Sequence, residues 1–166
     1  MTGRPLPLAE LTLVVDTREQ DPYDFTGLCP VVRQALPAGD YSIAGYQRRF
    51  ACERKSLADA YATFGRGRER FTRELERLAT YDYAAIVLEF GLDDPPPPLS
   101  RVRPATVLHS LLAWSVRYRV VPLWCGSRDG GRAVVLRLAW SWWRAQREAR
   151  RSEARGAAAT NAGGRS

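Results

Sequence analysis

The run Ala84–Phe90 (AAIVLEF) constrains the fold more than any other stretch of the chain. It shows no polar alternation and is far too short for a membrane span, so it reads as a β-strand buried on both faces. Such a strand needs helices above and below it. The following residues alternate accordingly: Pro104 can open a helix running to about Tyr118, Val120–Trp124 is a strand, and Arg132–Arg150 is a final helix. Upstream, Leu11–Val15 is a short apolar strand that ends at Asp16, and Val31–Leu36 is a second. Tyr41–Ala44 and Gln47–Glu53 flank Gly45 as a hairpin. Ser56–Phe64 and Glu69–Tyr81 read as helices on either side of Gly65-Arg66-Gly67, with Phe71, Leu75 and Leu78 at helical spacing in the second. Asp93–Pro98 (DDPPPP) is a stiff connector. The pattern predicts one α/β domain over residues 11–151, a central mixed sheet flanked by helices, after an N-terminal extension of residues 1–10. Residues 152–166, rich in Ala, Gly, Ser and Arg without apolar periodicity, are expected to form a disordered tail.

Several chemistries are excluded early. Arg, His or Ser interrupts every apolar run before membrane-span length, and the first ten residues lack the apolar centre of a secretory signal. Cys29, Cys52 and Cys125 form neither a disulfide framework nor a zinc motif, which fits a reducing cytoplasm. His109 is the only histidine, so a Ser-His-Asp triad or a histidine metal site is ruled out. Net charge is +7 with a pI near 9.8, which points to a polyanionic partner. The charge is unevenly placed: residues 1–99 hold 12 basic and 15 acidic side chains, and residues 100–166 hold 13 and 3. Among 25 basic residues only Lys55 is lysine. A coding bias toward Arg explains the others, and a position that keeps Lys against it needs a compact, titratable ammonium.

Chemistry concentrates around the hairpin. With the turn centred near Gly45 and Tyr46, Asp40 falls opposite Ala51, one diagonal step from Glu53. Glu53 and Lys55 share a face, while Phe50 and Cys52 point to a core. Two carboxylates with one ammonium are hard oxygen chemistry for Mg²⁺, with Mn²⁺ substituting, and Asp16 on the neighbouring strand would complete the cluster. These residue types alone leave open a surface hairpin with solvated charges.

Four motifs occur in order: Val15-Asp16-Thr17-Arg18-Glu19, Gly39-Asp40-Tyr41, Glu53-Arg54-Lys55, and Asp59. Together they resemble the nuclease domain of XPF-type structure-specific endonucleases, whose signature is GD…ERK…D. Arg70–Leu75 (RFTREL), the AIVLEF strand and the SLLAWSVRY helix also have counterparts there. The resemblance covers roughly Leu11 to Arg150, the nuclease domain without that family's helix-hairpin-helix or helicase parts. It implies a restriction-endonuclease-like core that cuts branched, flap or fork DNA with Mg²⁺ in repair or recombination. It implies Asp16, Asp40 and Glu53 as metal-site acids, and Lys55 as the catalytic lysine. Arg18, Glu19, Arg54, Asp59 and Arg70 would support them. Strand alternation turns Arg54 away from Glu53, which leaves its backbone carbonyl to serve the site. Glu74 stands where many relatives carry Gln.

On the last helix Arg137, Trp140, Arg144, Arg147 and Arg151 form one stripe, opposite Val134, Val135, Leu138, Trp142 and Ala145. Read without acidic partners, Arg137, Arg144 and Arg147 suit phosphate contacts, although a solvated face is the plainer alternative. Relatives dimerise through this half, so Trp143 and the 104–118 helix are candidates for a homodimer or heterodimer interface. Two rivals stand beside the nuclease: a non-catalytic DNA-binding relative serving another subunit, and a protein whose basic face binds RNA or an acidic protein. The Arg/Ala-rich composition suits a prokaryotic or phage source.

Overall fold

The computed structural model describes residues 8–98 and 100–163, with side chains to residue 157. Most of the expected N-terminal extension, residues 1–7, lies outside the described residues. A short 3-10 turn at Leu8–Glu10 precedes β1 (Leu13–Val15), β2 (Val31–Arg33), β3 (Tyr41–Ile43) and β4 (Phe50–Lys55). The chain continues through α1 (Leu57–Phe64), α2 (Arg68–Leu78), β5 (Tyr83–Leu88), α3 (Pro104–Tyr118), β6 (Val121–Trp124) and α4 (Arg128–Gly163).

The strands form one mixed sheet in the order β2-β1-β3-β4-β5-β6. β3 runs antiparallel to both β1 and β4, and the pairs β1–β2, β4–β5 and β5–β6 are parallel. The AAIVLEF run is β5, between β4 and β6, and Ala85, Val87 and Leu88 are sealed from water. Its alternate side chains enter two cores. Ala84, Ile86 and Leu88 join Phe64, Phe71, Leu75 and Trp114 beneath α1, α2 and α3. Ala85 and Val87 join Tyr41, Phe50, Val135 and Ala139 beneath α4. Burial of these side chains, at about 25 cal/mol per Å² of apolar surface, is what drives the helices onto both faces.

Three expectations are corrected. The β3–β4 connection holds two successive turns, closed by Tyr46 N–H on Ile43 O and by Arg49 N–H on Tyr46 O. Tyr41 therefore pairs with Cys52, which moves Asp40 from the level of Ala51 to that of Glu53. The stretch after Ser152 does not lack regular structure, because α4 continues to Gly163, its end built from strong helix formers such as Ala, Arg and Glu. On α4 the expected face holds at Val134, Val135, Leu138 and Trp142, which reach the core together with Leu136 and Ala139, but Ala145 is exposed. Trp142 packs on Tyr46 and Phe50, and Trp140 lies 5.3 Å from Trp143.

Candidate active site

Asp16 follows the last residue of β1, and its backbone N–H is tied to Asp40 O at 2.8 Å. Asp40 precedes β3 on a backbone bend that only Gly39 permits. Gly39 has φ +76°, and a Cβ there would lie 3.0 Å from the Ala51 Cβ. The Gly39 N–H donates to Glu74 Oε1 at 2.8 Å, so α2 braces the bend. Glu74, read as a departure from the usual Gln, supplies the same kind of acceptor. The end of β4 then brings Glu53, Arg54 and Lys55 beside Asp40.

One cleft of about 610 Å³ gathers Asp16, Arg18, Glu19, Asp40, Glu53, Arg54, Lys55 and Asp59, together with Arg70. Residues from β1, β3, β4, α1 and α2 converge there. The basic residues of α4 do not: none of Arg137, Arg144 and Arg147 lines it. Two of them are also paired, which corrects their reading as free cations. Arg144 meets Glu148 at 3.4 Å, while Arg147 meets Glu10 and covers the Trp143 ring. Arg137 remains exposed.

The acids in the cleft divide into two kinds. Asp16 is only 1% exposed, and its oxygens are fully occupied. Oδ1 accepts from Arg18 N–H at 2.7 Å and Arg18 Nε at 2.8 Å. Oδ2 accepts from Arg18 Nη2 at 2.7 Å and Leu36 N–H at 2.8 Å. Burial alone would raise its pKa, but the guanidinium fork and the two backbone donors hold it below the ordinary aspartate value. A carboxylate has about four acceptor sites, and here protein donors occupy them. Among the described residues, no group of three His, Cys, Asp or Glu side chains is arranged to hold a metal. Asp16 shares the cleft with Asp40 and Glu53, and in this arrangement Arg18 supplies its positive partner.

Asp40 and Glu53 are poorly compensated. Burial and the charge of Glu53 push the Asp40 carboxyl up to about 8, against one hydrogen bond from the Arg54 backbone N–H at 2.7 Å. The backbone amide of Arg54 thus serves the site by fixing Asp40. Burial also raises Glu53, with the Lys55 ammonium 2.9 Å from Oε1 opposing the shift. The Lys55 Nζ lies 4.3 Å from the centre of the Phe71 ring, which positions it against α2. Glu53 raises Asp40, while Glu74 and Glu19 raise Glu53, so the cleft concentrates negative charge around one ammonium. A Mg²⁺ site needs no more than one or two carboxylates, the rest coming from waters and substrate phosphate, so the donor set fits.

The remaining candidates support the walls. Asp59 accepts from Ser56 Oγ at 2.6 Å, and its N–H donates back at 3.2 Å, closing the cap of α1. Arg54 turns to the α4 side, as alternation requires, where it joins Glu89 at 3.0 Å and Glu19 at 3.3 Å. Arg128, at the start of α4, reaches Asp21 at 2.8 Å and Glu89 at 3.5 Å. Glu89 and Arg128 escaped the sequence reading. The one available signal was a lone Glu ending an otherwise apolar strand.

The ERCC4 domain family matches residues 15–130. Among solved structures, XPF from Aeropyrum pernix superimposes with a TM-score of 0.67 at 23% identity, over 84% of this chain and 69% of that one. The same protein in complex with DNA gives 0.64 at 23% identity, over 82% and 66%. At that identity the likeness is one of fold, and the fold is the restriction-endonuclease-like α/β core. No curated protein matches the sequence. The family match opens at Val15, the first residue of the VDTRE motif, and takes in every residue that lines the cleft: the chain belongs to the ERCC4 domain family.

Proposed function

We propose that the chain is a Mg²⁺-dependent endodeoxyribonuclease that hydrolyses phosphodiester bonds at branched, flap or fork DNA, in repair or recombination. Family membership supports the nuclease class. The observation that carries the reading is the pair Asp40 and Glu53, buried together beside Lys55 and short of positive charge.

In this reading Asp16, Asp40 and Glu53 are the acids of a site that would hold Mg²⁺, or Mn²⁺ in its place. The ion would supply Lewis-acid polarisation of the phosphodiester and acidify a water. The Arg54 N–H fixes the orientation of Asp40, and Gly39 keeps the bend close enough to β4 for that bond to form. Lys55 Nζ spends one N–H on Glu53 and has two left to orient the attacking water or meet charge on the phosphate. Arg70, exposed at the rim, grips the strand. Asp16 and Arg18 hold the floor of the cleft through Leu36.

No described helix is long and apolar enough to cross a membrane. On α3, Leu112 and Val116 are exposed, Val116 at 83%, and we place a homodimer or heterodimer contact on that face. The deciding assay is cleavage of labelled 3′-flap, fork and plain duplex DNA with and without Mg²⁺. Metal-dependent cutting that favours a branched substrate supports the reading. Metal-independent cutting, or none on any substrate, overturns it.

A further inference from the structure

A second groove opens from the cleft, between the α1–α2 turn and the segment that leads into α3. Its volume is about 910 Å³, and its charged lining is Lys55, Asp59, Arg66, Arg70 and Arg101. Lys55, Asp59 and Arg70 line both concavities, so the two are continuous.

Three observations define what this groove can hold. Arg66, Arg70 and Arg101 make no ion pair among the described residues, whereas Arg18, Arg49, Arg54, Arg77, Arg128, Arg132, Arg144 and Arg147 each meet a carboxylate. The one acid in the groove, Asp59, is already engaged by Ser56 at the α1 cap. Next, the turn is built so that Arg66 stands over the groove. A Cβ on Gly67 would lie 3.1 Å from Thr63 Cα, so the turn packs directly on α1, and no side chain caps the first turn of α2. Finally, the lining has no aromatic ring and no Asn or Gln. No aromatic platform for a base and no amide to read adenine lines it. Unpaired guanidiniums lining a groove in this way suit phosphate contacts.

We propose that this groove is the track for the phosphate backbone of one DNA strand leaving the cleft, gripped without regard to sequence by Arg66, Arg70 and Arg101. The track deepens the nuclease reading and rests on it for the direction of the strand. Its physical basis is separate, since it needs only the three uncompensated charges.

The test uses the full chain with a fluorescent single-stranded oligothymidylate in EDTA, titrated across a salt series. Each phosphate contact on single-stranded DNA contributes about 0.7 to the slope of log K against log salt. Arg66→Ala/Arg101→Ala should flatten the slope by roughly 1.4, while Arg66→Lys/Arg101→Lys should restore it. The charge-matched control Arg117→Ala/Arg155→Ala, on exposed residues away from the groove, should keep the wild-type slope. An unchanged slope in the groove variant, or equal flattening in the control, overturns the track. Cleavage measured separately with Mg²⁺ keeps the two readings apart. A wild-type chain that never cuts but loses slope on the groove substitutions overturns the catalytic reading alone. One that cuts and loses no slope overturns the track alone.

Discussion

The two faces of β4 handle charge in opposite ways. On the α4 side, Arg54 lies between Glu19 and Glu89, each of these side chains about 10% exposed or less, and Arg128 closes the set through Asp21. On the α1–α2 side, Asp40 and Glu53 repel each other with only Lys55 between burial and neutrality, and the nearby arginines of the groove have no acid to meet. The first face is satisfied within the protein. The second is organised for charges the protein does not contain. Position within one strand decides between them, since Arg54 differs from Glu53 and Lys55 only by alternation.

The contrast can be broken from the satisfied face first. Arg54→Ala leaves Glu19 buried without a cation and Glu89 with only Arg128 at 3.5 Å, so it should cost about 3–5 kcal/mol of stability. Chemical denaturation should show it, and a loss below about 1 kcal/mol would mean that water already screens the network. On the other face, Asp40→Asn should lower single-turnover cleavage by about 10²–10³-fold or more, the scale of losing a transition-state electrostatic contact. DNA binding should persist or tighten, because one negative charge is gone. Undiminished cleavage would remove Asp40 from the metal site.

Lys55→Arg sharpens the comparison. If charge alone mattered, a protein that uses Arg at every other basic position would tolerate it. If the ammonium must fit between Glu53 and Phe71 and share a proton with the nucleophile, cleavage should fall by roughly two orders of magnitude while folding and affinity hold. A smaller effect lies in pH. Between the ordinary aspartate range and about 8, folded Asp40 keeps a proton that the unfolded chain has released. Stability of the metal-free protein should therefore fall as pH rises through that window, and Asp40→Asn should flatten the fall. Thermal melts in EDTA at pH 5 and pH 8 measure it, and identical slopes for both proteins would refute the shift. Least affected should be Arg144→Ala/Arg147→Ala, whose exposed pairs contribute about 0–1 kcal/mol each, with little change in DNA binding. A large loss of affinity would return α4 to the DNA interface.

Much of this was legible in the chain. The AAIVLEF run marked the buried strand, and the GD and ERK motifs fell beside each other as expected. The register was off by two because a double turn, from Ile43 to Phe50, cannot be told from a tight hairpin by its Gly alone. One contact of Asp16 was hidden for a local reason. Its neighbour Arg18, two residues on in a turn, folds back to occupy the carboxylate. The Arg54–Glu19–Glu89 network was invisible because its members are 35 residues apart from Arg54 on either side, and spacing in sequence carries no sign of such contacts. On α4, Val134, Val135, Leu138 and Trp142 reach the core as drawn, but the sheet ends before Ala145, which is exposed, so hydrophobicity alone carried the stripe too far.

The clasp between Arg128 and Asp21 joins residues 107 positions apart. A ribosome making this chain delivers Asp16, Asp40, Glu53 and Lys55 long before Arg128. During that interval Glu89 already has Arg54, and Asp21 has only Arg54 at 3.9 Å in place of the closer clasp to Arg128. Closure of that wall is a late event in synthesis, because long-range pairing must wait for the chain to supply both ends. A nascent fragment that stops before α4 would carry the cleft beside a loop without that latch.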